Sequence, residues 1–116
     1  MDKQDKRIGY WEFYFNNGQL NAYGLYNQNG EREGVWVWKD NLGNKIEEGN
    51  YIDGKAEGEY VLFHSNGNLK RKMNYHQDTL EGVYQAYSQF GTLIETTHFK
   101  KGKKEGLTKL YFEQGP

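Results

Sequence analysis

The sequence contains no cysteine, one proline and few aliphatic side chains, and its mean hydropathy is -1.05. Zero cysteine excludes a disulfide scaffold, a thiolate zinc site and a cysteine nucleophile. No apolar run approaches the ~20 residues that a membrane-spanning helix requires. Net charge is also close to zero, at -1, so no strong overall field draws the chain to nucleic acid or anionic lipid. What the chain has instead is 15 Gly, 10 Tyr, 6 Phe and 3 Trp within 116 residues, the length of one domain. So many rings in a proline-poor chain are the wrong signature for disorder. The sequence should fold, but around rings and glycine rather than a thick aliphatic core.

The glycines keep a register. Gly9, Gly34, Gly58, Gly82 and Gly106 lie 25, 24, 24 and 24 residues apart, and nine residues after each comes Gly18, Gly43, Gly67, Gly91 or Gly115. Gly24 and Gly49 follow the second series by six residues, and Gly30, Gly54 and Gly102 precede the next start by four, so every glycine belongs. A period of this size marks a repeat array. Other columns agree. Glu33, Glu57, Glu81 and Glu105 precede the starts; Trp11, Trp36, Tyr60 and Tyr84 follow them by two, a column that fails only at Thr108. Tyr26, Tyr51, Tyr75 and Phe99 form another. The organisation expected is a polar N-terminal segment, 1–8, and an array over 9–116 whose fifth unit is incomplete.

Each unit reads as a β-hairpin. Tyr10 to Phe15 is extended and aromatic, Asn16-Asn17-Gly18 turns, and Leu20 to Tyr26 returns; Ser65-Asn66-Gly67-Asn68 repeats the device. Asn-Gly is a strong hairpin signal because both residues tolerate positive φ. Asn29-Gly30, Asp53-Gly54 and Lys101-Gly102 link one hairpin to the next. No segment shows helical periodicity over ten residues. The fold expected is all-β: an elongated, single-layer antiparallel meander of about nine strands, roughly 40 Å long at ~4.8 Å per strand. Alternation places Trp11/Phe13, Trp36/Trp38, Tyr60/Leu62, Tyr84/Ala86 and Thr108/Leu110 on one face, and Tyr14, Phe63, Tyr87 and Tyr111 on the other, where Lys39 interrupts the row. An irregular turn is expected in the second unit, where Ile46 stands one place off the Leu20, Leu69, Leu93 column.

The unit G-x-[WY]-x-x-[YF]…N-G-x-L…G-x-Y…G-x-x-x-G resembles the MORN repeat, and most closely its bacterial variant in the YwqK-family antitoxin-like proteins. Asn66-Gly67-Asn68-Leu69 and Gly102-Lys103-Lys104-Glu105-Gly106-Leu107 carry the resemblance well, and it extends from residue 9 to the end. It implies a twisted single sheet of hairpins. For function it implies protein–protein contact, dimerisation or phospholipid binding and, through the bacterial variant, an antitoxin or immunity role. The chain departs from the pattern at Lys39, Met73, Thr97 and Thr108.

The candidate protein-binding residues are the aromatic row Trp11, Phe13, Trp36, Trp38, Tyr60 and Tyr84, of the types that anchor interface hot spots. The competing reading makes the row the core of a one-layer sheet. Two basic clusters, Lys70-Arg71-Lys72 and Lys100, Lys101, Lys103, Lys104, offer an anion or lipid site, or else serve as solvated edges that discourage strand pairing. Charge divides unevenly: residues 1–60 carry 7 basic and 11 acidic groups, the remainder 8 and 5. The glutamate column has no second acid or histidine beside it, and accepting turn amides suits it better than acid–base chemistry. Glu47 and Glu48 are adjacent and so splay to opposite faces. His64, His76 and His98 occupy three different repeat positions and match no metal motif.

These features lead to the expectation of a non-catalytic binding module: no enzyme, no cofactor, no metal, no nucleic acid. A protein partner leads, with a toxin or effector the class that the resemblance implies. Phospholipid or anionic-ligand binding at a membrane surface through the basic clusters, and a self-associating scaffold, are the alternatives. The polar start lacks a signal peptide's apolar stretch, which leads to a cytoplasmic expectation or to a protein whose leader was removed.

Overall fold

Four turns of one build fold the chain back on itself. The computed structural model describes residues 6–111; Gly115 and the last residues of the expected array lie outside them. The amides of Phe15, Asp40, His64 and Ser88 each reach the carbonyl four residues on, at 2.8 Å, across loops ending in Gly18, Gly43, Gly67 and Gly91. In these loops only the glycine has positive φ, between 87° and 93°. The Asn-Gly hairpins are thus three-residue loops closed by a left-handed glycine, not two-residue turns with both residues left-handed. An asparagine fits before that glycine because its carbonyl caps the loop: Asn17 Oδ1 accepts the Gln19 amide and Asn66 Oδ1 the Asn68 amide, both at 2.9 Å.

Two-residue turns with positive φ at both positions occur instead at the opposite edge of the sheet. They are Asp53-Gly54, Gln77-Asp78 and Lys101-Gly102. The first connection differs, because its Asn27 amide reaches the Glu31 carbonyl across a three-residue loop. That extra residue accounts for the first repeat spacing of 25.

The strands are β1 (Gly9–Tyr14), β2 (Leu20–Tyr26), β3 (Arg32–Lys39), β4 (Lys45–Ile52), β5 (Lys55–Phe63) and β6 (Leu69–His76). They continue with β7 (Thr79–Leu80), β8 (Gly82–Tyr87), β9 (Leu93–Lys100), β10 (Lys103–Lys104) and β11 (Lys109–Leu110). All pairing is antiparallel, in the order β1-β2-β3-β4-β5-β6-β8-β9-β10, with β7 also on β6 and β11 also on β9. The eight long strands and β11 make the nine expected; β7 and β10 are short returns of the tight turns. No helix occurs among the described residues. The described chain measures 55 × 36 × 16 Å, and a thickness of 16 Å is one layer of sheet. The long axis exceeds the expected 40 Å, as twist adds a diagonal that strand spacing alone leaves out.

The second unit is regular. In every hairpin one extra residue sits just after the turn: Asn21, Ile46, Lys70 and Ile94. Ile46 therefore matches Asn21, and Lys45 stands where Leu20, Leu69 and Leu93 stand. Only the side chain has changed, and Lys45 lies over the Phe63 ring of the next unit, 5.0 Å from its centre. The repeat-start glycines do a different task. At Gly34, with φ 75°, β3 kinks and its pairing with β2 jumps from Tyr23↔Val37 to Leu25↔Glu33. A left-handed residue within a strand favours glycine.

Candidate functional site

One face of the sheet carries a ladder of rings. Trp11 lies against Phe13 and Tyr26, and both of these lie against Trp36. Trp36 leads to Trp38, then Trp38 to Tyr51 and Tyr60, and Tyr60 to Tyr75, with ring centres 4.9 to 6.4 Å apart. Tyr84 stands off the ladder and pairs only with Phe99 among the described rings. The break falls where Met73 replaces the glycine of earlier units. Met73 is buried, and β6 pairs with β8 through only Arg71↔Ala86 and Lys72↔Gln85.

The structure corrects the candidate row at one residue. Trp36 is 1% exposed, with its indole N–H donating to the Leu25 carbonyl at 2.9 Å, so it is core and cannot meet a partner. Its burial follows from having rungs on both sides and a glycine beneath. Trp11, at the end of the ladder, is 37% exposed. Phe13, Trp38, Tyr60 and Tyr84 are half-buried. Tyr26, Tyr51 and Tyr75 join the same face, and their column was visible in the sequence.

Two side chains on this face escaped the sequence reading. The Arg7 guanidinium lies over Trp11 and Phe13, 5.3 and 5.2 Å from the ring centres. Arg32 lies over Trp36, Trp38 and Tyr51, at 5.1, 5.4 and 5.5 Å. Both stand two residues before a repeat-start glycine, the signal that could have found them. Beyond Arg32, the Tyr60 hydroxyl donates to Glu47 and lies 3.3 Å from the Tyr51 hydroxyl. Burial first, and then the Glu47 carboxylate, raise the Tyr60 pKa, so this hydroxyl stays protonated.

The basic clusters do not converge. Lys70 is the second residue of β6, beside the hairpin turn, whereas Lys100 closes β9 at the other edge, about 20 Å away along the strand direction. Arg71 and Lys72 pair with Leu62 and Val61 and so face opposite ways. Lys72 is held by Glu59 at 3.3 Å, and Lys100, Lys101, Lys103 and Lys104 bracket a tight turn. A single anion site using both clusters is therefore excluded by the strand register.

The glutamate column braces the other edge. Glu33, Glu57 and Glu81 accept the amides of Asp53, Gln77 and Lys101 at 3.1, 2.9 and 2.9 Å, each in the next unit's turn. Glu47 and Glu48 do splay apart, Glu48 pairing with Lys45 at 2.8 Å. His76 Nδ1 lies 3.0 Å from Glu57, and His64 Nε2 lies 2.9 Å from the Tyr87 carbonyl. The histidines are dispersed.

Three stretches, 7–28, 56–77 and 80–101, match the MORN repeat variant and together make up more than half of the chain. The chain belongs to the MORN repeat variant family. The second unit, which lies between the matched stretches, keeps the same turn and bulge despite Lys39, Leu42 and Lys45. MORN repeats are commonly protein- or membrane-binding modules. No curated protein matches the chain.

Several carboxylates titrate below their ordinary range. Asp40 is lowered by the Asn44 amide above all, Glu57 by its bond to His76 and then the Gln77 amide, and Glu12 by the Tyr14 and then the Tyr10 hydroxyl. A folded-state pKa below the unfolded one gives stability that is present above the ordinary carboxylate value and lost as pH falls through the folded value. The thermal midpoint should therefore fall as pH drops through and below the ordinary carboxylate range. Far-UV circular dichroism against temperature checks this, and Glu57→Gln should flatten part of the fall.

Proposed function

We propose that this MORN array is a non-catalytic protein-binding module that holds its partner on the ladder face through Trp11, Phe13, Trp38 and Tyr60. The observation that carries the reading is the half-buried ladder itself. A one-layer sheet has no second layer to cover these rings, and contiguous apolar surface on a protein marks a contact site. Resemblance to the YwqK-family antitoxin-like proteins directs the partner to the toxin or effector class, met in the cytoplasm.

The test uses the product of the neighbouring reading frame as partner and isothermal titration as readout. Trp11→Ala/Trp38→Ala should weaken binding by about 30-fold or more, because each truncates a hot-spot type of residue worth roughly 1–2 kcal/mol. Its β-type circular dichroism should be retained. Unchanged affinity in that variant would remove the ladder from the interface. Co-sedimentation with acidic vesicles that fades as salt rises would favour the membrane-binding alternative. Concentration-dependent light scattering would favour self-association through the open edge of β1.

A further inference from the structure

Arg7 and Arg32 hold the same place in successive units, a place taken in later units by Ala56, Leu80 and Lys104. Neither guanidinium has an ion-pair or hydrogen-bond partner among the described residues. An arginine carries five N–H donors and no acceptor. Rings can hold its face but offer the donors at its edge nothing to bond. Arg32 is partly buried, so those donors are also shielded from some of the water that would otherwise satisfy them.

We propose that Arg7 and Arg32 form a two-point carboxylate receptor for an acidic segment of a partner protein, with the ladder rings between them as its apolar floor. This rests on the ladder face being the protein-binding face. A guanidinium steadied on an aromatic ring is pre-set for two parallel bonds to a carboxylate. Successive units are two strands apart, about 10 Å, which matches acids three residues apart on one face of a polyproline-II-like segment, with three residues per turn and a rise of about 3.1 Å per residue. The surrounding charge selects discrete side chains over a broad anionic surface. Residues 1–60 are net acidic, with 11 acids against 7 bases, so a membrane plane would press headgroups against carboxylates as well as against the two arginines.

The probe is a synthetic peptide in which glutamate recurs every third residue among proline and serine; its control has glutamine in place of glutamate. The chain has three arginines, Arg7, Arg32 and Arg71, so their Nε–H signals in heteronuclear NMR form a small self-controlled set. Adding the glutamate peptide should shift Arg7 and Arg32 and leave Arg71 in place, and the control should shift none. Arg7→Gln and Arg32→Gln should each weaken binding about tenfold. Arg32→Lys should recover part of the loss, since it keeps charge without the fork. Arg7 is exposed, so Arg7→Gln carries the test even where Arg32→Gln fails to fold.

Equal binding of the control peptide, shifts confined to Arg71, or full affinity in the Arg7→Gln variant would each overturn the proposal. So would arginine-dependent capture by phosphatidylserine vesicles without peptide binding, which would make the anion a lipid headgroup. The two readings fail separately. If Trp11→Ala/Trp38→Ala loses the natural partner while Arg7→Gln/Arg32→Gln keeps it, the ladder stands and the carboxylate receptor falls.

Discussion

Gly49→Ala should cost this protein about 3 kcal/mol, at the upper end of what overpacking usually does. A methyl group built at Gly49 would sit 2.1 Å from the Tyr60 ring, and one at Gly24 would sit 2.4 Å from the Trp36 ring. Neither glycine has positive φ, so the backbone itself would accept alanine. Alanine normally suits a strand better than glycine does. Here the space decides the sign. Tyr60 cannot retreat, because Tyr51, Trp38 and Tyr75 surround it and its hydroxyl is tied to Glu47. Urea denaturation should show the loss directly, and the thermal midpoint should fall by more than about 10 °C.

Gly18→Ala is the contrasting control. Nothing lies within 4 Å of a methyl group there, but φ is 87°. The cost should be the backbone strain alone, about 1 kcal/mol.

The later units show how the same conflict is resolved when the glycine is lost. Thr97 occupies the Gly24 and Gly49 position and is 1% exposed, and the ring that would lie on it is replaced by Thr108. The two hydroxyls meet at 3.2 Å. Here the two side chains have changed together, whereas in the preceding unit Met73 replaces the glycine, Tyr84 is kept, and that ring stands off the ladder against Phe99. Transplanting the threonine pair tests the coupling. Gly49→Thr/Tyr60→Thr should be less unstable than the sum of the two single changes by more than about 1 kcal/mol, as expected for residues in direct contact. Additive losses would mean that the ring and the glycine are not coupled.

Spacing made the hairpins, the register and the amide-binding role of the glutamate column legible, because a repeat writes each of them several times. Glu33, Glu57 and Glu81 make one bond in three copies. Turn type was harder. Asn17-Gly18 and Asp53-Gly54 look alike on paper, yet one is a three-residue loop and the other a two-residue turn. The difference lies in which strand positions pair, and that is a property of two segments rather than one. Depth of burial escaped for a related reason. Alternation assigns Trp11 and Trp36 to one face, but depth depends on rungs contributed by neighbouring strands. Arg7 and Arg32 were missed because their column holds only twice, and two copies do not stand out from chance.

Trp36→Ala is the change that separates core from contact surface on this face. Its ring touches Tyr26, Phe13 and Trp38, Arg32 lies above it, and its N–H is bonded to Leu25. Truncation leaves a void in a one-layer sheet that has no second layer to collapse into it, and strands an otherwise satisfied carbonyl. A loss of about 4 kcal/mol is expected, the ordinary cost of deleting a buried tryptophan. That is a large part of the roughly 5–15 kcal/mol that holds a domain of this size together. Urea titration followed by circular dichroism should show the variant largely unfolded, or unfolding at much lower denaturant. Trp11→Ala, at the open end of the ladder, should cost only about 1 kcal/mol and keep the sheet intact. Were Trp36 a contact residue like Trp38, the opposite result would follow, a folded variant that has lost only its partner. If Trp36→Ala keeps native stability, the ring is not core and it returns to the interface beside Trp38. If it unfolds while Trp11→Ala and Trp38→Ala stay folded, the ladder has two sides with separate tasks: an inner edge that holds the hairpins together, and an outer edge free to bind.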